Sequence, residues 1–388
     1  MRLVTLWRRA VQIAAMAGGV AGLLLLTQAA RADDTEAPTR SENVATPMAR
    51  EFGLSDLAPR LMFHGFADVT ANIYFDDVEG VGKSSHNYFA LGELDLFIVS
   101  HLADNVSFLS ELVFESNTDS ETAVELERIF IKYTVSDRFW ISVGRHHTVL
   151  GYWNEAYNHG LLLQPTVARP DVLNWEEHGG VLPMHSVGLA MGGRVFRGPW
   201  GFEYAANIGN GRGLTSRQVQ TVFDVNDQKA LTLRLSASHE AKGRLLFGPM
   251  IHLDRIPADP ATIGREGEES ERIAGAFVTY RDDRFELLSE YYYVRHEDLL
   301  TGAIYNSPGY FLIGLLNFGK LKPYGGYDRL DVDTADPYYG SEITPLKRSL
   351  LGLRWDLNSF NAIKFEVRHD IRPGVHSNGL VVQTAFIF

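Results

Sequence analysis

The sequence predicts an all-β fold, an antiparallel transmembrane β-barrel of about 16 strands with a long third loop folded into the lumen. Three observations support this prediction. Strand-like segments that alternate apolar and charged residues recur throughout residues 60–388. Several segments run for ten residues or more, which matches the ~9–11 tilted residues that cross a bilayer as a strand. Short turns alternate with longer polar links, which is typical of barrels that span a membrane.

The first 32 residues predict a cleaved export signal that is not part of the fold. Basic residues come first, an apolar stretch covers residues 10–26, and Ala30-Arg31-Ala32 follows. This layout is that of a secretory signal peptide. A single membrane anchor is the alternative. However, the stretch includes Gln12 and three glycines, and it is shorter than the ~20 residues that a spanning helix needs.

Two regions follow the predicted signal. Residues 33–59 are polar and contain scattered prolines, so we expect a flexible periplasmic lead-in. From residue 60 to residue 388 the composition is uniform and no linker interrupts it, which predicts one barrel domain.

Composition excludes several classes of protein. Without the four arginines of the signal, the chain has 32 basic and 48 acidic residues, a net charge of −16, which argues against a nucleic-acid partner. The chain has no cysteine and therefore no disulfide framework. Beyond the signal, no segment has ~18 uninterrupted apolar residues, so a helical membrane protein is excluded.

The alternating segments indicate which solvent each face of the sheet meets. In residues 351–357, Leu351, Leu353 and Trp355 alternate with Arg354 and Asp356. Successive side chains of a strand point to opposite faces, so one face is apolar and the other is charged. Charged groups are costly in a packed core, whereas they cost little beside water. We therefore expect lipid outside the barrel and water inside it.

The spacing of the connections predicts the number of strands. Seven tight turns are expected near residues 103–105, 136–138, 197–199, 240–243, 281–283, 319–320 and 358–361. Eight longer links are expected at residues 76–87, 116–122, 150–183, 211–227, 255–270, 297–308, 332–346 and 371–378. Together they join 16 strands and place both ends of the barrel on the periplasmic side.

The final strand has a feature of its own. Leu380, Val382, Thr384, Phe386 and Phe388 alternate, and the chain stops on an aromatic residue. This segment resembles the C-terminal assembly signal of bacterial outer-membrane proteins. The resemblance implies recognition by the outer-membrane barrel-assembly machinery and a final location in outer-membrane lipid.

The third link, residues 150–183, is the longest and carries several apolar aromatic residues, including Trp153, Tyr157 and Trp175. Loops of this length are usually functional or disordered, and this composition is not that of a disordered segment. Folding back into the lumen would bury the aromatic residues and narrow the pore. The charged or titratable residues expected at this constriction are Glu155, Arg169, Asp171, Glu176, Glu177 and His178.

Sixteen strands with the longest loop in third place resemble the general and phosphate-selective porins of Gram-negative bacteria. Residues 143–151, Val-Gly-Arg-His-His-Thr-Val-Leu-Gly, also resemble the strand that enters this loop in phosphate-selective porins. The resemblance implies an inward-bent constriction loop, passive diffusion of small hydrophilic solutes or ions, and a homotrimer. The expected pore-lining residues are of both signs: Glu93, Asp95, Glu111, Arg128, Lys132, Arg234, Glu290, Arg354, Asp356, Lys364, Glu366 and Arg368.

Other functions leave weaker signals in the sequence. Histidines 146, 147, 159 and 178 could bind a metal, but their spacing fits no standard motif, and polar decoration of the loop is the simpler interpretation. No G-x-S-x-G motif is present, and neighbouring Ser and His residues point to opposite faces of a strand, so we expect no enzyme. No cofactor is expected. The alternative function is a non-conducting barrel that acts in binding, adhesion or metal handling at the surface.

Overall fold

The structure is a computed structural model that describes residues 60–388 apart from 117–121, 158–159, 168, 176–177, 219–222, 242, 262–263 and 341. The predicted signal peptide, residues 1–32, and the predicted lead-in, residues 33–59, lie outside the described residues. Within the described part, no helix has the length and apolar character needed to cross a membrane.

Sixteen strands follow one another along the chain and form a closed antiparallel barrel in which β16 pairs with β1. The predicted antiparallel all-β barrel and its number of strands are therefore confirmed. The strands are β1 (Arg60–Val78), β2 (Gly82–Ala103), β3 (Val106–Ser116), β4 (Thr122–Ser136), β5 (Phe139–His147), β6 (His185–Arg197), β7 (Trp200–Asn210), β8 (Lys229–Glu240), β9 (Arg244–Ile256), β10 (Glu269–Arg281), β11 (Phe285–Asp298), β12 (Ile304–Leu316), β13 (Leu321–Leu330), β14 (Leu346–Asn358), β15 (Asn361–Arg372) and β16 (Val375–Ile387). One short helix, α1 (Trp153–Ala156), and a 3₁₀ turn (Asp171–Leu173) lie between β5 and β6.

The two faces of the sheet differ as the alternation predicts. The apolar side chains of Leu235, Leu351 and Val367 are 60 %, 72 % and 58 % exposed. By contrast, Lys364 and Glu366, which lie on the opposite face of β15 from Val367, are both fully buried. Apolar residues therefore cover the outer surface, where a bilayer would solvate them, and charged residues occupy the interior.

The connections agree with the sequence on one side of the barrel and differ at two places on the other. All seven predicted tight turns are present between the strands. The predicted links at residues 76–87 and 371–378 are wrong. Strand β1 continues to Val78 and β2 begins at Gly82, whereas β15 continues to Arg372 and β16 begins at Val375. Paired residues such as Asp76 and Ser84 are polar on both strands, so strand pairing continues where the apolar alternation has stopped.

The barrel closes at its C-terminal residue. The backbone N–H of Phe388 donates to the carbonyl oxygen of Gly65 at 2.9 Å, and the N–H of Gly65 donates back at the same distance. The Phe388 ring lies directly over Gly65, in the space that a β-carbon at that position would need. The aromatic end of β16 thus completes the pairing with β1.

Candidate functional site

The third loop, residues 148–184, begins and ends on adjacent strands. His147 of β5 pairs with His185 of β6 in the sheet. Just beyond them, the backbone N–H of Thr148 donates to the Met184 carbonyl at 2.9 Å, and its hydroxyl donates to the Pro183 carbonyl at 2.6 Å. The two ends of the loop are therefore hydrogen-bonded to each other where the loop leaves the sheet.

Helix α1 is held by Glu290 of β11. Its carboxylate Oε1 accepts hydrogen bonds from the backbone N–H groups of Trp153 at 2.7 Å and Tyr152 at 3.1 Å. The Tyr292 hydroxyl donates to the other carboxylate oxygen. Gly151 precedes the helix with a φ of 94°, and a β-carbon there would lie 2.1 Å from the Tyr292 hydroxyl. Glycine is required here by both backbone conformation and space.

The next part of the loop is bound to strands on another part of the wall. Asp95 of β2 accepts a hydrogen bond from the Gly160 N–H at 3.0 Å. The Lys364 ammonium donates to the carbonyls of residues 161 and 166, at 2.6 and 3.0 Å. Arg354 donates to the Gln164 carbonyl at 2.9 Å, and Glu366 accepts from the Val167 N–H at 2.9 Å. Four predicted pore-lining residues thus bind the loop backbone.

Two predicted constriction residues, Arg169 and Asp171, contact other residues of the protein. Asp171 is buried and accepts a hydrogen bond from Arg372 at 3.0 Å, while its N–H donates to Asp328 at 2.5 Å. The Arg169 guanidinium lies 3.6 Å from the centre of the Trp175 ring. Both charged groups therefore have protein partners.

An apolar cluster joins the third loop to the wall and to the seventh loop, residues 331–345. Its largest members from the third loop are Trp153 and Trp175, and Phe311 of β12 meets the Trp153 ring edge-on at 5.7 Å. Tyr339 of the seventh loop belongs to the same cluster, and its hydroxyl donates to the Val181 carbonyl at 2.8 Å. The aromatic residues of the loop are thus buried, as their composition predicts.

Glu155 and Arg234 form an ion pair beside an open cavity. Arg234 projects from β8 and also donates to the Gly151 carbonyl at 2.8 Å. The cavity has a volume of about 500 Å³, and its lining includes both residues together with the ion pair of Arg194 and Glu203, whose charged atoms are 2.7 Å apart. Acidic and basic groups therefore face the same space.

Most of the other predicted pore-lining residues form ion pairs with neighbouring residues. Arg128 is paired with Glu111, and Arg368 with Glu366 at 2.9 Å. Asp356 accepts from Arg354 at 2.6 Å and lies 2.6 Å from the Lys322 ammonium. The remaining two residues have different surroundings: the Lys132 ammonium lies over the Trp140 ring at 4.3 Å, and the Glu93 N–H donates to Asp68 at 3.2 Å.

The last predicted constriction residues are Glu176, Glu177 and His178. Glu176 and Glu177 lie outside the described residues. His178 is exposed, and its N–H donates to the Trp175 carbonyl at 3.0 Å.

The Tyr157 hydroxyl links the end of α1 to charged residues of the barrel wall. Burial and the nearby Glu286 carboxylate both raise the pKa of this phenol well above its ordinary value. Tyr157 therefore remains protonated and donates to Glu286 at 3.1 Å. Arg281 in turn donates to the Tyr157 oxygen at 2.9 Å, so the end of α1 is linked to β10 and β11.

The three candidate metal-binding histidines that the structure describes, His146, His147 and His178, do not form a shared site. His146 shares a hydrogen bond with Ser142 at 2.9 Å, His178 is exposed, and His159 lies outside the described residues. His147 instead meets His185 and Glu127. Glu127 is the extra residue of a β-bulge, because Arg128 pairs with Glu111 while the next pair is Leu126 with Leu112. Register across β5 and β6 could have indicated His185, whereas a bulge leaves no reliable sequence signal.

Comparisons with known proteins identify the fold. A scan against models of protein families finds no match, and a search of curated proteins finds none. Among solved structures, the anion-selective porin from Comamonas acidovorans has a TM-score of 0.58 at 11% identity, covering 85% of this chain and 100% of that one. The outer membrane channel DcaP of Acinetobacter baumannii has a TM-score of 0.56 at 13% identity, covering 85% and 97%. The trimer form of OmpT, an outer membrane protein of Vibrio cholerae, has a TM-score of 0.54 at 9% identity, covering 84% and 99%. The chain therefore has the 16-stranded barrel fold of outer-membrane porins.

Proposed function

We propose that this chain is a porin of the bacterial outer membrane, through which small hydrophilic solutes or ions diffuse passively down their gradients. The observation that carries this proposal is the inverted barrel, with apolar side chains outside and charged side chains inside. A chain with this distribution is stable only where lipid surrounds it and water or polar groups fill it. No cofactor takes part, and no enzymatic step is proposed.

In this proposal the third loop lies across the lumen and narrows the path of the solute. Its hydrogen bonds to Asp95, Glu290 and Lys364 reach strands β2, β11 and β15 of the wall, which supports this position. The cavity beside Glu155 and Arg234 provides the polar space for passage. Selectivity would follow from the width of this space and from the opposed charges across it.

Names of the structural neighbours agree with this proposal. One is described as an anion-selective porin and another as an outer membrane channel. The trimer form of a third supports a homotrimer for this chain. We further propose that the barrel-assembly machinery recognises β16 through its terminal Phe388, which closes the seam with β1.

Planar lipid bilayers test the function directly. The detergent-extracted full chain should add discrete, stepwise conductance at low protein concentration, with a current that grows in proportion to salt concentration. The heat-denatured chain at the same concentration is the control and should add none. A folded preparation that never conducts would contradict the porin proposal.

A non-conducting barrel is the second candidate, and one observation favours it. The third and seventh loops share an apolar cluster with strands β9–β13, so part of the interior is packed with protein. Under this alternative the folded chain would seal the bilayer and act in binding or adhesion. The same recordings distinguish the two candidates, because a sealed barrel gains conductance only after loop residues are removed.

A further inference from the structure

A second polar cluster lies away from the Glu155 cavity, where the third, fourth and seventh loops meet the wall. His296 of β11 is fully buried at its centre. Its Nδ1 atom is 2.8 Å from Asp336 Oδ2 of the seventh loop and 3.3 Å from Glu269 Oε2 of β10. Ligand atoms of all three residues lie within 4.8 Å of one another. The cluster contains none of the four histidines that the sequence singles out.

The opposite side of the imidazole has the support that metal-binding histidines usually have. His296 Nε2 lies 3.1 Å from Glu271 Oε1. Glu271 is itself fixed by Arg212 of the fourth loop, whose Nε donates to both carboxylate oxygens at 2.9 and 3.0 Å. Such a carboxylate orients a histidine ring and increases its basicity toward a metal on the other nitrogen.

The buried carboxylates of the cluster also favour a cation between them. Glu269 and Asp336 are 0 % and 1 % exposed, and none of the described residues donates a hydrogen bond to either carboxylate oxygen of Glu269. The Arg265 Nε is 4.0 Å away, and that guanidinium donates to the carbonyls of Leu214 and Pro257. Glu269 thus has only long contacts to cationic or titratable groups, and a buried carboxylate that is poorly paired is unfavourable. A divalent ion with a neutral imidazole would balance the two carboxylates.

We propose that Glu269, His296 and Asp336 bind a divalent transition-metal ion of the zinc class, which fixes the seventh loop to the barrel wall. One imidazole with two carboxylates suits such an ion. At metal–ligand distances of about 2.0–2.2 Å, tetrahedral ligands are separated by about 3.3 Å, close to the spacing around His296 Nδ1. The site is independent of whether the barrel conducts.

The effect of the ion would extend beyond the seventh loop. Tyr339, three residues after Asp336, donates to the Val181 carbonyl of the third loop, and Arg212 donates to the same carbonyl at 2.5 Å. Loss of the ion would release Asp336 and then loosen this shared contact. The metal therefore stabilises the packing of three loops.

Metal content of the full chain in detergent provides the first test. The protein is stripped with a chelator, dialysed against Zn²⁺, freed of unbound ion and measured by mass spectrometry. Asp336→Asn and Glu269→Gln should each bind one equivalent less than wild type. Asp331→Asn, which alters an exposed carboxylate of the same loop paired with Arg329, is the matched control and should bind the wild-type amount. Equal binding by wild type and Asp336→Asn would overturn the proposal.

Two further measurements test the proposal even if Asp336→Asn or Glu269→Gln misfolds. Glu271→Gln leaves the three ligands in place and should weaken Zn²⁺ binding by about 10–100-fold. X-ray absorption of the zinc-loaded wild type needs no variant and should show one imidazole with oxygen ligands. Two imidazoles would place the ion at Glu127, His147 and His185 instead and would overturn the assignment. Wild-type affinity in Glu271→Gln would also contradict it.

Discussion

At the scale of single residues, the Glu290 side chain binds the start of the third loop. It accepts two backbone hydrogen bonds from α1, and Gly151 packs against its partner Tyr292. Hydrogen bonds to a charged group contribute about 1.5–3 kcal/mol. The helix has only four residues, so it has little stability of its own. The position of α1 therefore depends on this carboxylate.

Glu290→Gln should loosen α1 while the barrel stays folded. The amide retains one acceptor but loses the charge, so we expect about 1.5–3 kcal/mol less protection of residues 150–157. Hydrogen exchange followed by mass spectrometry would show amide exchange there about 10–100-fold faster. Glu297→Gln, on the same strand but paired at the surface with Arg295, is the control and should leave these amides unchanged. Unchanged exchange in Glu290→Gln would show that the Glu290 carboxylate does not hold α1 in place.

At the scale of elements, alternation along the chain was sufficient to predict the strands, their faces and the seven short turns. It failed at the ends of β1, β2, β15 and β16, where both faces meet polar surroundings and pairing alone maintains the strand. It also could not predict which inward residues would meet. Glu290 and Trp153 are more than 130 positions apart, and His296 and Asp336 are joined by loop geometry alone. Such contacts depend on how the loops fold back, which has no periodic signal.

Residues 160–167, the middle of the third loop, should depend together on hydrogen bonds from Lys364. This buried ammonium binds the carbonyls of residues 161 and 166, and each buried carbonyl left unpaired costs about 1–3 kcal/mol. We therefore expect Lys364→Met to speed hydrogen exchange in residues 160–167 but not in residues 150–157. Lys347→Met, on the exposed side of β14, provides the comparison. Faster exchange in both segments would mean that the loop opens as one piece, contrary to this expectation.

At the scale of the whole molecule, the proposed channel depends on the charge balance of the space beside the third loop. Glu155 and Arg234 offset one another there, and Arg234 is more deeply buried than Glu155. Replacement of the carboxylate would leave a fixed positive charge facing the solute. The overall excess of acid in the chain has less influence, because charges farther than about 8–10 Å are screened by salt.

Glu155→Gln should therefore shift the permeability of the channel toward anions. One unit charge at 4 Å in water changes the energy of an ion by about 1 kcal/mol, which corresponds to at most about a fivefold change in the permeability of each ion. Because anion and cation respond in opposite directions, their permeability ratio changes by at most about 25-fold. Reversal potentials across a salt gradient measure this ratio, and Arg234→Gln should move them the other way. Glu240→Gln removes the same charge from an exposed residue at the end of β8 and should have little effect. If both glutamate variants shift the potential equally, the total charge of the barrel sets selectivity, and the solute does not pass beside Glu155.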